Sequence, residues 1–201
     1  MTHRYHELLF TPTVKAVQSA LGSRDMLSAD EEDEAIHRDE LTPSEATFIT
    51  LRDSFYMAST SSAGWPYVQH RGGPAGFVKV FDQKTIGFAD FAGNRQYVSV
   101  GNLLDDDRAS LFFMDYANRR RLKILGRAKF IDAEQRDLLE QLIVPGYRAR
   151  VERGVLIKVE AFDWNCPQHI TPRQVDEDSA AEVAALRRRV AELESALNAK
   201  P

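Results

Sequence analysis

The sequence contains a single cysteine, Cys166, among its 201 residues. One cysteine cannot form an intrachain disulfide, and its isolation fits a reducing compartment. No apolar run approaches the ~20 residues that a membrane-spanning helix needs, and the first ten residues lack the apolar stretch of a secretory signal. These absences predict a cytoplasmic protein without a membrane span.

The chain also lacks an excess of positive charge. Its 26 Lys and Arg residues are outnumbered by 30 Asp and Glu residues, which gives a formal net charge of -4. A nucleic-acid-binding domain usually has a basic face, and the one basic run, residues 119–123, carries no interleaved exposed aromatics. The five histidines are scattered and show neither an HExxH nor a paired CxxC spacing. We therefore expect no nucleic-acid partner and no metal.

Short strand-like segments are abundant. They follow a clear helix start at Thr42-Pro43-Ser44-Glu45, a capping box with proline at the first helical position. Strands joined by so few residues pair antiparallel, and closure into a small barrel removes exposed edges. The predicted strands span 55–60, 66–70, 77–81, 85–90, 109–115, 121–131 and 155–162.

Helices are expected around these strands. One runs from Thr11 to Gly22 with an apolar stripe, and another spans residues 133–143. A short heptad pattern of apolar residues runs from Val183 to Leu197. The acidic segment 30–39 is interpreted as a linker or frayed helix. The first ten residues are interpreted as a mobile or partner-docked arm.

Polar donors gather at two places along the predicted strands. Alternation puts Gln69 and Arg71 on one strand face and His70 on the other, and the glycines that follow leave backbone open to a flat ligand. Further on, Asn94 is placed to cap a helix predicted from Arg95 to Leu103. Such a helix start attracts an anion, to which the guanidinium of Arg95 adds a planar fork. The alternative at both places is an ordinary solvated turn.

Six sequence blocks together resemble a known family: PYVQHRGGPAGF, FADFAGNRQY, GNL, DDDRASLFFMDY, RRRLKILGRA and DWNCPQHITPR. The chain resembles the pyridoxamine 5′-phosphate oxidase superfamily, and more closely its predicted flavin-nucleotide-binding branch. The resemblance implies a mainly β, antiparallel, Greek-key FMN-binding split barrel in residues 42–175. An N-terminal helix and acidic linker (1–41) would precede it, and a C-terminal amphipathic helix (176–201) would follow. It also implies a homodimer with FMN at the subunit interface.

The resemblance implies an oxidoreductase in which FMN passes hydride or electrons to an unidentified small-molecule substrate. The alternatives are a non-catalytic flavin carrier or sensor, and a split barrel that holds haem or a deazaflavin. His169 is the expected proton donor, because imidazole titrates near neutral pH. Gln96 stands where the better-known oxidases carry lysine, so Arg71 or residues 119–121 are expected to compensate for the lost charge. The residues expected to bind the cofactor are Gln69, His70, Arg71, Gly72, Asp90, Asn94, Arg95, Gln96, Asn102, Arg121, Trp164 and Gln168.

Overall fold

A computed structural model gives the fold and describes residues 3–32, 38–132, 134–164, 167–173 and 183–192. The chain divides into two compact units, residues 1–114 with 121–166 and residues 115–120 with 167–201. Cys166, Leu193 and Leu197, which were named above, lie outside the described residues, as do residues 33–37 of the acidic segment.

Seven strands form one sheet in the order β2-β1-β5-β6-β7-β4-β3. Antiparallel pairing joins the strands, and β2 and β3 lie at the two edges of a sheet that is not closed. The mainly β, antiparallel split-barrel class predicted from the sequence is confirmed. The expected closure that would remove both edges is not found among the described strands, because β2 and β3 each pair on one side only. The strands are β1 Ser54–Thr60, β2 Pro66–Gly72, β3 Val78–Asp82, β4 Thr85–Phe91, β5 Arg108–Asp115, β6 Arg120–Ile131 and β7 Val151–Trp164.

Helices connect and flank these strands. Two of them agree with the sequence patterns, since α2 begins after its Thr11 cap and α4 has both hydrogen bonds of the capping box. None of the described helices combines the length and the apolar character that crossing a bilayer requires. The helices are α1 Arg4–Leu9, α2 Pro12–Ala20, α3 Arg24–Glu32, α4 Pro43–Thr50, α5 Val98–Asp105 and α6 Arg136–Leu142, with residues 183–192 also helical.

The core lies on one face of the sheet, called here the inner face. Phe55 and Met57 of β1 are paired with Phe113 and Leu111 of β5, and each of these four side chains is at most 1% exposed. The ring of Phe88 meets the ring of Phe55 edge-on at 5.2 Å between centroids. Burial of each such side chain contributes roughly 1.5–3 kcal/mol, so this face organises the sheet.

Helix α4 closes part of the inner face. Phe48 is buried and meets the ring of Trp164 edge-on at 4.7 Å, while the indole N–H of Trp164 donates to Glu45 Oε1 at 2.6 Å. Burial alone would raise the pKa of the Glu45 carboxyl, but hydrogen bonds from Thr42 and Trp164 lower it below its usual value. The capping box therefore also anchors the end of β7.

The N-terminal segment packs on the sheet of its own chain. Where a mobile or partner-docked arm was expected, α1 lies on β7 with Tyr5 and His6 buried. The ring of His3 stacks on that of His6 at 3.8 Å, and Lys123 Nζ lies 4.6 Å from the ring centre of Tyr5. The predicted helix α2 is present, and its apolar stripe is exposed, with Val17 52% accessible. Hydrophobic spacing indicated the helix but not what would cover it.

Candidate functional site

A polar cavity of about 70 Å³ lies where the ends of β2 and β4 meet the start of α5. Three of its walls come from segments far apart in sequence, namely β2, the β4–α5 connection and the start of β7. Of the residues predicted to bind the cofactor, it brings together Gln69, Arg71, Asp90, Asn94, Arg95 and Gln96.

An ion pair joins two strands that are not neighbours in the sheet. Arg71 Nη1 of β2 donates to Asp90 Oδ1 of β4 at 2.6 Å, with side chains 19% and 7% exposed. The register shows why they meet: Arg71 is paired with Phe55, and Asp90 follows Phe88 at two residues, so both point to the inner face. The sheet curls until its two halves touch here, and we call this junction the seam.

A second arginine approaches Asp90 from β7. Arg153 and Asp90 are directly paired between β7 and β4, and Arg153 Nε lies 3.7 Å from Asp90 Oδ2. Burial raises the pKa of the Asp90 carboxyl, and the positive charges of Arg71 and Arg153 offset part of that effect. The short Arg71 contact therefore does not make this ion pair strongly favourable, because desolvation opposes the attraction. Its clear consequence is geometric, since one carboxylate holds two guanidinium groups at the seam.

The connection from β4 to α5 differs from the prediction. Helix α5 begins at Val98 with Tyr97 as its N-cap, so Asn94 does not cap a helix that starts at Arg95. Instead, Asn94 Oδ1 accepts a hydrogen bond from the backbone N–H of Gln96 at 3.1 Å, which makes a local turn. Arg95 and Tyr97 adopt left-handed backbone angles, with φ of 61° and 54°. These two residues break the helical path, and the predicted helix is three residues too long at its start.

Several hydrogen-bond donors at the cavity have no acceptor. Ser99 is 4% exposed, and its hydroxyl has no partner among the described residues. The same holds for Arg71 Nε, which is buried. The N-cap residue Tyr97 makes no side-chain cap, so the first N–H groups of α5 also stay without a side-chain acceptor. Buried donors are normally satisfied, and this set is therefore suited to an anionic ligand.

The remaining predicted strand and helix residues lie away from the cavity lining. His70 points to the opposite face of β2, as predicted from alternation, and meets the ring of Tyr56 edge-on. Asn102 is buried and donates to Ser59 Oγ at 3.0 Å, which fixes α5 on β1. Arg121 is next to the inward-facing Leu122 and so lies on the outer face of β6.

The two other positions have structural roles or lie elsewhere. Trp164 is about 35 Å further along β7 than Arg153 at ~3.3 Å per residue, and its indole is bound to Glu45. Gly72 ends β2, and the next glycine, Gly73, leaves room for a core ring, because a Cβ there would lie 2.8 Å from Phe77 Cγ. The glycines are thus explained by packing at least as well as by a flat ligand.

Gln168 and His169 belong to the second unit, where both are exposed. His169 has a left-handed backbone with φ of 61°, and in the same unit the guanidinium of Arg173 lies 4.2 Å from the ring centre of Tyr116. Their roles toward a cofactor stay predictions.

Sequence reasoning missed the contributions of Ser99, Tyr97, Glu152 and Arg153. The last two were missed because β7 was predicted to begin at Val155, whereas it begins at Val151. The sequence did contain a signal for Arg153, because alternation backward from the buried Val155 puts Arg153 on the inner face. Ser99 gave no such signal, because a serine near a helix start is ordinarily solvated.

A larger cavity of about 430 Å³ lies between α1 and strands β1, β5 and β6. Its floor is largely aliphatic and includes Leu8, Leu9 and Leu125. Each arginine at its edge is already paired with a carboxylate: Arg4 with Glu7, Arg108 with Asp106, and Arg127 with Asp107 and Glu160. This cavity therefore lacks the unfilled donors that distinguish the polar one.

A family model described as pyridoxamine 5′-phosphate oxidase matches residues 41–187. The chain belongs to that family. The match spans the whole sheet and the polar cavity, and it confirms the family expected from the sequence blocks. Among curated proteins, no sequence matches this chain.

Several solved structures are similar to parts of this chain. An FMN-binding protein from Syntrophomonas wolfei is 9% identical, covering 74% of this chain and 97% of its own, with a TM-score of 0.48. A general stress protein 26-related protein of the pyridoxinephosphate oxidase family, from Clostridium acetobutylicum, is 14% identical over 64% and 88%, with a TM-score of 0.45. HupZ from Group A Streptococcus is 14% identical over 67% and 100%, with a TM-score of 0.47.

Proposed function

We propose that this chain binds FMN, with the phosphate in the polar cavity, and acts as an oxidoreductase on a small-molecule substrate. Bound FMN supplies hydride or single-electron transfer through its ring system. The chain's own residues bind the phosphate, orient the cofactor and shield it from water. Membership of a family that includes flavin-binding oxidoreductases supports this proposal.

The observation that carries the proposal is the set of unfilled donors. The hydroxyl of Ser99 and Nε of Arg71 belong to cavity-lining residues and have no acceptor in the described chain, and the N-cap residue Tyr97 makes no side-chain cap to the first N–H groups of α5. A phosphate group offers several acceptor oxygens and negative charge, which satisfies both the donors and the positive end of the helix. Arg95 is exposed on the connecting loop and adds a cation at the entrance.

The size of the cavity bears on the assembly. Sites for molecules as large as FMN usually enclose ~300–1,000 Å³, whereas the polar cavity holds about 70 Å³. It fits the phosphate end but not the ring. We therefore propose a homodimer in which a second copy completes the wall around the ring.

The test is the spectrum and redox behaviour of the purified full-length chain. FMN binding predicts a yellow protein, or one that becomes yellow and quenches flavin fluorescence when FMN is added. Reduction by NADPH followed by reoxidation with oxygen or a quinone supports an enzyme, whereas tight binding without turnover supports a carrier or sensor. A haem or deazaflavin spectrum, with no affinity for FMN, would contradict the proposal.

A further inference from the structure

We propose that Arg153 of β7 is a second phosphate-binding cation at the polar cavity, and that Asp90 is the positioning residue that holds Arg153 and Arg71. The identity of the phosphate rests on the proposed function. The anion site itself rests on the contacts of these side chains.

The contacts of Arg153 are too long to satisfy its guanidinium. Its shortest polar contact is Nη2 to Glu152 Oε2 at 3.5 Å, and Nε stands 3.7 Å from Asp90 Oδ2. The side chain is only 24% exposed, and its Nε is buried without a hydrogen-bond partner in the described chain. A charged donor that has left water without a short hydrogen bond is costly, so this arrangement favours an additional acceptor.

Arg153 is not itself part of the cavity lining, but it contacts two residues that are, Asp90 and Tyr97. Its Cζ lies 5.2 Å from the ring centre of Tyr97, a cavity-lining residue, in a cation–π contact. The hydroxyl of Tyr97 donates to Glu152 Oε1 at 3.3 Å, which ties the loop before α5 to the start of β7. The guanidinium is therefore held between Asp90 and the loop that carries the proposed phosphate contacts.

The charges around the cavity leave room for an anion. The charged side chains that line the cavity balance one another, since Arg71 and Arg95 face Asp90 and Glu152. Arg153 lies outside the lining but contacts the lining residues Asp90 and Tyr97, and it adds one positive charge. The excess of one positive charge lies at a site with unfilled donors. A monoanion or dianion is thus favoured over a neutral or cationic ligand.

Asp90 is a positioning residue because its oxygens face the arginines. Oδ1 accepts from Arg71 at 2.6 Å, and Oδ2 faces Arg153 at 3.7 Å. A carboxylate would repel a phosphate, so its value to the site lies in fixing two cations that come from β2 and β7. Its effect on the ligand is therefore exerted through Arg71 and Arg153.

The experiment compares FMN and riboflavin binding by the full-length wild-type chain and by Arg153→Gln, using flavin fluorescence. Losing a charge-assisted contact should weaken FMN about 10- to 100-fold and leave riboflavin within about twofold. Arg148→Gln is the matched control, because Arg148 is exposed, makes no ion pair with a cavity-lining residue in the described chain, and its loss changes net charge equally. Asp90→Asn should also weaken FMN selectively, and its effect should be smaller in the Arg153→Gln background than in wild type, because only the part exerted through Arg71 remains.

Equal losses for FMN and riboflavin in Arg153→Gln, or a loss no larger than that of Arg148→Gln, would overturn the inference. Fully additive effects of the Asp90 and Arg153 substitutions would overturn the positioning role. If wild-type protein binds neither flavin, the proposed function fails, and inorganic phosphate then tests Arg153. Phosphate should raise the melting temperature of wild type and of Arg148→Gln but not of Arg153→Gln. An equal rise in all three rejects Arg153 as an anion-binding residue.

Discussion

Replacing Ser99 by alanine should change stability and ligand affinity in opposite directions. In the ligand-free protein the Ser99 hydroxyl is 4% exposed and lacks a partner in the described chain. An unsatisfied buried polar group costs about 1–3 kcal/mol, and alanine is also the better helix former within α5. Allowing for the lost contacts of the oxygen atom, we expect Ser99→Ala to stabilise the ligand-free protein by about 1 kcal/mol. The melting temperature should rise by about 2–4 °C for a chain of this length.

The same substitution should lower the affinity for FMN. A hydrogen bond to a charged phosphate is worth about 1.5–3 kcal/mol, which corresponds to roughly 10- to 150-fold weaker binding of FMN. Riboflavin lacks the phosphate and should bind as before. Urea unfolding of the ligand-free protein and fluorescence titration with both flavins measure the two effects separately.

Ser59 provides the matched control for Ser99. Its hydroxyl is equally buried at 4% exposure, but it accepts a hydrogen bond from Asn102 Nδ2 at 3.0 Å. Ser59→Ala should therefore destabilise the ligand-free protein by about 1–3 kcal/mol, because it leaves the buried amide unsatisfied. If Ser99→Ala is as destabilising as Ser59→Ala, the Ser99 hydroxyl is already satisfied without ligand and the reasoning is refuted. Unchanged FMN affinity would remove Ser99 from the phosphate site.

Three further predictions concern other parts of the chain. Arg95→Ala should weaken FMN binding about tenfold or more and leave riboflavin binding unaffected. Equal losses of affinity for the two flavins in fluorescence titrations would show that Arg95 does not contact the phosphate. Burial, with help from His6 and Arg38, lowers the pKa of His3 below 6.5, so the unfolded chain binds this proton more readily. Stability measured by urea unfolding should be full above pH 6.5 and fall as the pH decreases, and the fall should be shallower in His3→Gln; identical profiles would contradict this. Light scattering should give a dimer that survives removal of residues 179–201, whereas monomers after truncation would make the C-terminal helix the organiser.

Much of the fold was readable because its signals are local. The capping box at Thr42 needs only four residues, and both of its hydrogen bonds are present. The alternation that separates Gln69 from His70 also follows from strand geometry alone. Antiparallel pairing follows from short connections, which is why the strand count and fold class were accessible.

The site was only partly readable because it depends on the curl of the sheet. The contact between Arg71 and Asp90 joins residues 19 positions apart on non-neighbouring strands, and no sequence period encodes it. The start of α5 was misplaced because Arg95 and Tyr97 adopt left-handed angles that their side chains do not favour. Tertiary contacts of Tyr97 with Glu152 and Arg153 accompany this local conformation and lie far away in the sequence.

The junction of β2 with β4 is expected to open locally without unfolding of the whole sheet. β2 and β4 are joined at Arg71 and Asp90 by side chains and not by a ladder of backbone hydrogen bonds, so local separation there costs far less than global unfolding. Amide hydrogens at the end of β2 should consequently exchange with solvent before those of the central strands β5 and β6. An anion bound across the seam stabilises the closed form by mass action, by about 2.7 kcal/mol at a concentration of 100 Kd. Ligand binding should therefore slow amide hydrogen exchange at the end of β2 and leave exchange in the central strands β5 and β6 unchanged.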